Sequence, residues 1–189
     1  DTEQVHVCLA FPSVERDNPK KYVYAVFNAV FGGGMSSILF QKVREDHGLT
    51  YSIYSYLSSY NKCSLFMVYA AMNPNQTKKV LELIHEECEE LKKNGILPEI
   101  IEKAKTQVLS NYIISGESTV NRMTSNGGSM LIRNRIVSQE EIIEGVEKIT
   151  VEDIQEAIES IFDYSKMSLT AAGNTSGINF EELVNNIFV

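Results

Sequence analysis

His85-Glu86-Glu87-Cys88-Glu89 is the stretch of this chain whose residue types look most like a metal site. A His-Glu-x-x-His zinc site needs two imidazoles one helical turn apart, so that both reach one ion. Position 89 here is Glu89. The inverted spacing, His-x-x-Glu-His, meets Cys88 and Glu89 where it requires Glu and His. Both spacings fail, and His85 reads as a surface residue of an acidic helix. His6 and Cys8 share one side of a strand, but no third His or Cys accompanies them, so they read as structural. No metal site is expected in this chain. Gly32-Gly33-Gly34-Met35-Ser36-Ser37 lies between two helical stretches. Backbone N–H groups at the start of the second could hold an anion or a peptide carbonyl. The run is not a P-loop, because Lys-Ser/Thr is missing and a helix precedes it. It reads as a tight turn with a cap or as a ligand-contacting turn. No serine sits in Gly-x-Ser-x-Gly and His47 has no evident Cys or Ser partner, so nothing here is self-sufficient catalytic machinery.

The elements that position these residues follow from periodicity. Val5, Val7, Leu9 and Phe11 alternate with His6, Cys8 and Ala10, the period of a half-buried strand. Asn18-Pro19 opens a helix carrying Tyr24, Phe27, Ala29 and Val30, which the glycine run ends. Ser36 or Ser37 caps a shorter helix to about His47, and Gly48 stops it. Two strands, 49–59 and 64–72, meet at an Asn61-Lys62 hairpin, the second apolar enough to be central. Val80, Leu81, Ile84, Cys88 and Leu91 mark a long amphipathic helix ending near Gly95. Pro98 starts the next, with Ile101, Ala104, Val108 and Tyr112 on one face. A weaker helical segment, 119–134, is interrupted by Gly127-Gly128. Ser138 to Glu141 is a capping box, and Thr150 opens a further helix. A strand at 166–173 and a helix at 180–187 complete the chain. Segregated runs of strands and helices predict an α+β fold, a mostly antiparallel sheet with helices on one face. No linker divides the chain, so 1–189 reads as a single domain.

The 189 residues carry a net charge of −8, and residues 139–160 contribute −7 of it. That balance argues against nucleic acid, whose phosphates need clustered Lys and Arg. No apolar run reaches the ~18 residues of a membrane span. The acidic start Asp1-Thr2-Glu3-Gln4 does not resemble a signal peptide, and the missing initiator Met is expected of a piece cut from something longer. Cys8, Cys63 and Cys88 are odd in number and far apart, which fits free thiols and a cytoplasmic location better than a disulfide framework.

The stretch from Asn28 to Ser55, NAVFGGGMSSILFQKVREDHGLTYSIYS, resembles the pitrilysin/insulinase family of zinc metallopeptidases, the inverzincins, including mitochondrial processing peptidase and its bacterial relatives. The resemblance rests on the turn-helix from Gly32 to Phe40, on Arg44 followed seven positions later by Tyr51, and on the order of elements. It implies a processing-peptidase-like metallohydrolase half-domain, one of two similar halves. The N-terminal half of such enzymes carries His-x-x-Glu-His with zinc, and the C-terminal half closes over a peptide substrate and lends an Arg and a Tyr. This chain lacks the zinc motif and keeps the pair. The resemblance therefore implies a C-terminal half with Arg44 and Tyr51 as substrate-binding residues and Gly32, Gly33 and Gly34 as a possible substrate-contacting turn. No catalytic residue, metal or cofactor is expected in this chain, and zinc is expected in the full-length enzyme. The implied partners are the N-terminal half, or a paired subunit, and the peptide. The family also contains catalytically silent peptide-binding or structural members. From the residues alone, Arg44 suits a helix C-terminus, and Tyr51 shares strand parity with Ile53 and Leu57 and could be core.

His6, His47 and His85 never fall at ligand spacing, so the isolated chain is expected to purify without stoichiometric zinc and to be inactive by itself. Elemental analysis checks the first point; about one tightly held zinc per chain would contradict it.

Overall fold

Alternating apolar residues place one side of each strand under a helical layer. A computed structural model describes residues 3–189, so Asp1 and Thr2 of the acidic start lie outside the described residues. The strands β1 (Val5–Pro12), β2 (Thr50–Ser59), β3 (Ser64–Met72) and β4 (Ser168–Gly173) form an antiparallel sheet in the order β2-β3-β1-β4. The chain is thus α+β, and β1 and β3 hold the centre as their apolar content requires. Val5, Val7, Leu9 and Phe11 of β1 and Phe66, Val68 and Ala70 of β3 are buried under helices. His6, Cys8 and Ala10 face the opposite, uncovered side and are only half-buried.

The helices are α1 (Lys21–Phe31), α2 (Thr77–Asn94), α3 (Pro98–Ser115), α4 (Thr119–Arg133), α5 (Gln139–Glu147), α6 (Val151–Ile161) and α7 (Phe180–Phe188). Phe27 and Phe31 of α1 meet Phe66 of β3 and Phe162 after α6, with ring centroids 5.2 to 6.0 Å apart. Fully buried aromatic rings in tilted and edge contacts supply large apolar area and add directional attraction. The expected stripe of α2 is buried throughout, from Val80 to Leu91. Gly95 ends that helix at φ +67°, a conformation that suits glycine.

Several boundaries differ from the sequence reading for local reasons. The Asn18 carboxamide accepts from the Lys20 N–H, so Asn18 makes a turn and α1 begins at Lys21. Gly127 and Gly128 do not interrupt α4, which runs unbroken through them. The Ser138 hydroxyl accepts from the Glu141 N–H, but the Glu141 carboxylate is held bidentately by Arg135 (2.5 and 2.7 Å), so the expected box is only half formed. Thr150 and Asp153 form the full reciprocal box at α6.

His85 also departs from its expected surface role. Its ring lies 5.1 Å from that of Tyr164 and 5.2 Å from that of Phe188, and its buried Nδ1 has no hydrogen-bond partner among the described residues. Burial holds its pKa below the ordinary value; Glu89 and Glu86 oppose the shift and Lys92 adds to it. A depressed histidine stays neutral in the folded state while the unfolded chain takes up protons below about pH 6.5. Stability is therefore fully present above that value and declines as pH falls through the window below it. Thermal unfolding of His85→Gln is expected to vary less between pH 7 and 5 than that of the parent chain; identical pH profiles would contradict the assignment.

Candidate functional site

Asn28, near the end of α1, anchors the site. Its carbonyl accepts from the Gly32 N–H (3.0 Å), and its side-chain oxygen accepts from the Ser55 hydroxyl of β2 (2.8 Å). The Ser55 N–H in turn donates to the Gly32 carbonyl (3.0 Å). Edge strand β2 is thus occupied at this point by the glycine turn. A Cβ on Gly32 would lie 2.5 Å from the Ser55 nitrogen, and one on Gly33 would lie 2.9 Å from the Ala29 Cα and the Asn28 carbonyl oxygen. Close approach of backbone, rather than a left-handed φ, explains both residues. At Gly34 the nearest atom, Gln107 Nε2, would be 3.6 Å from a Cβ, an ordinary contact.

The turn leads into helical backbone that widens to π geometry over Phe40–Asp46. Such segments are rare and recur at functional sites. Ser37 does not cap it by accepting from the next turn; its hydroxyl donates back to the Gly34 carbonyl (2.6 Å). The Gln41 side chain ties the segment to the turn through the Met35 carbonyl (2.7 Å). Arg44 is exposed in the last turn, with its guanidinium 4.8 Å from the Phe40 ring centroid. That geometry suits a cation–π contact and leaves the fork of donors free to face outward. Among the described residues it has no carboxylate partner.

Gly48, at φ +62°, turns the chain from this segment into β2, as its position predicts. Pairing then passes from Thr50–Met72 to Ser52–Ala71, leaving Tyr51 as the extra residue of a β-bulge. The bulge removes Tyr51 from the alternation that buries Ile53, so it is not a core residue; it is 75% exposed. Tyr51, Gly48, Thr50, Asn73 and Gln76 line a cleft of about 490 Å³. The Thr50 hydroxyl beside it is buried and has no hydrogen-bond partner among the described residues. Behind the turn, Ala29, Ile38, Lys42, Ala104 and Glu87 line a second, more apolar cleft of about 390 Å³, where burial pushes the Glu87 carboxyl up.

The uncovered side of the sheet carries a cluster that pattern reading missed. His6 Nδ1 lies 2.7 Å from the Tyr69 hydroxyl, the Tyr54 ring lies tilted at 4.9 Å from that of Tyr69, and the Tyr56 ring lies 5.8 Å from that of Tyr54. Burial pushes the Cys8 thiol up, although a hydrogen bond with Tyr56 opposes this. Its signal was the tyrosine alternation of β2, which puts Tyr54 and Tyr56 on one face. No three His, Cys, Asp or Glu side chains converge among the described residues. The donor set therefore does not fit zinc, and all three cysteines are free thiols. No helix among the described residues is long and apolar enough to cross a membrane.

Residues 1–108 match the family described as Peptidase M16 inactive domain. The chain is 36% identical over 176 residues to the uncharacterized zinc protease YmxG of Bacillus subtilis, covering 92% of this chain and 43% of that protein. It is 35% identical over 154 residues to an uncharacterized zinc protease of Streptomyces coelicolor, covering 82% and 34%. The crystal structure of a peptidase M16 inactive domain from Pseudomonas fluorescens superposes with a TM-score of 0.80 at 24% identity, covering 94% of this chain and 42% of that one. A chain of Complex III2 from Candida albicans superposes at 0.84 with 17% identity, covering 98% and 46%. At those identities the structures show the fold alone. The chain spans less than half the length of these relatives.

The glycine turn yields a direct test. Gly32→Ala must displace backbone and is expected to cost about 1–3 kcal/mol, the scale of overpacking. Gly34→Ala is expected to stay within about 0.5 kcal/mol. Denaturant unfolding of both variants checks this; equal effects would contradict the close-approach account.

Proposed function

The chain belongs to the M16 peptidase family, and we propose that it is the substrate-clamping C-terminal half of a zinc metalloendopeptidase whose zinc lies on the other half. One observation carries this reading: Arg44 and Tyr51 stand exposed on either side of the Gly48 turn, without a demand on either from the protein's own core. A guanidinium offers several N–H donors and a phenol one O–H donor, and both suit a peptide carbonyl oxygen.

In this reading the substrate lies across the face that bears Tyr51, and the two side chains donate to carbonyl oxygens at or beside the scissile bond. Donors fixed before reaction and aimed at developing negative charge stabilise the transition state by about 2.7–4 kcal/mol each. Phe40 restrains the Arg44 guanidinium, and the bulge fixes where Tyr51 leaves the sheet, which reduces the ordering cost of binding. The Ser55–Gly32 bond closes part of the β2 edge to an added strand, so main-chain pairing of the peptide falls to the companion half. Glycines 32 and 33 serve the clamp by seating the segment that carries Arg44; Gly34, with space around it, is the turn residue free to approach a ligand. The homologues' description as zinc proteases supports zinc in the full-length enzyme.

In the full-length, two-halved protein, Arg44→Ala and Tyr51→Phe are each expected to lower peptide hydrolysis about a hundredfold. Tyr51→Phe removes only an exposed hydroxyl and should leave stability within about 0.5 kcal/mol. Ile53→Ala is the contrast, because Ile53 is buried and should cost about 2–5 kcal/mol of stability without a specific loss of turnover. Turnover unchanged in both Arg44→Ala and Tyr51→Phe would sink the clamp and favour a silent, structural member of the family.

A further inference from the structure

α4 is exposed from Thr119 to Gly127 and turns inward only at Gly128, Ser129, Ile132 and Arg133. Val120, Met123, Met130 and Leu131 are 63%, 68%, 46% and 89% exposed. With Gly127 they fall within an arc of about 100° on a helix of 3.6 residues per turn. Ser129, which is buried, lies about 180° from Val120 on the same wheel. Its hydroxyl donates to the Arg135 carbonyl (2.7 Å). A helix whose final environment is water carries its apolar stripe inward; the large apolar side chains of α4 other than Ile132 are turned outward. Gly127 adds to this. Glycine is among the poorest helix formers, yet a Cβ there would meet nothing within 4 Å among the described residues, so no contact among them explains its small size. The helix also carries Arg122 and Arg133 and no carboxylate, in a chain of net charge −8.

We propose that this stripe is the seat of the companion half: in the two-halved protein, α4 packs against the part of the molecule that this chain does not contain. The proposal rests on the two-half architecture argued above but not on the clamp. The occupant follows from length. The matched region makes up 43% of the Bacillus subtilis relative and 42% of the Pseudomonas fluorescens chain, so more than half of each lies outside it. That remainder is a second body large enough to cover a four-turn helix, and a seat with Gly127 at its centre lets a facing backbone approach closely.

Hydrogen exchange at the α4 amides tests this, in the 189-residue chain and in the full-length protein. Protection of α4 is expected to rise at least tenfold in the full-length protein. Met123→Lys with Leu131→Lys alters only exposed positions and should leave the unfolding midpoint of the 189-residue chain within about 2 °C, while abolishing the added protection. Gly127→Leu should hold or raise that midpoint, because leucine is the better helix former, and should also reduce the added protection. Equal α4 exchange in both proteins overturns the proposal. So does protection that grows with concentration of the 189-residue chain alone, which would make the partner a second copy. Protection gained only on adding phosphatidylglycerol vesicles, which would make it a lipid surface, overturns it as well. Because exchange is read without substrate, a failed clamp and a failed seat give separate results.

Discussion

Gly32 lies so close to Ser55 that neither α1 nor β2 could keep its place if a side chain intervened. Three hydrogen bonds, from Gly32 N–H to Asn28, from Ser55 N–H to Gly32 and from the Ser55 hydroxyl to Asn28, close the contact on every side. The chain from Gly33 to Leu49 is therefore an excursion with both ends fixed, one at the end of α1 and the other at β2. Within it, Gln41 holds the turn, the Leu49 N–H donates to the Val43 carbonyl (3.2 Å), and Gly48 sets the return. Arg44 is borne on a brace rather than a free loop. In the proposed clamp such bracing would matter, because a displacement of about 1 Å can cost a hundredfold in rate.

The one-faced sheet explains the rest of the architecture. Phenylalanines from α1, β1, β3 and the end of α6 fill the space beneath the helices, and among the described residues no comparable layer covers His6, Tyr54 and Tyr69 on the other side. A lone antiparallel sheet can leave one face to solvent when that face is polar enough, and tyrosines with accessible hydroxyls meet the condition. Tyr51 leaves the sheet at the bulge on its edge strand and is exposed.

Much of this was legible in the residues. Strand and helix periods located the elements, and the glycine–Arg–Tyr spacing pointed to the family. What escaped was decided by tertiary contact. Tyr51 could be assigned to the core by parity because a bulge, which inserts one residue into one strand, leaves no mark in an alternating pattern. His85 sits on an acidic helix beside the solvated Glu86, and only the distant Tyr164 and Phe188 show that its ring is partly buried. Gly127-Gly128 looked like a break because glycine weakens isolated helices, yet α4 continues through both. Glu141 could have completed its cap, but Arg135 offered a stronger, charged partner.

The most direct test of the clamp is a structure of the full-length protein with a non-hydrolysable peptide bound. The account predicts the Tyr51 hydroxyl and the Arg44 guanidinium within hydrogen-bonding distance, about 2.7–3.2 Å, of peptide carbonyl oxygens. A peptide bound at the zinc with both side chains still turned to solvent would contradict it.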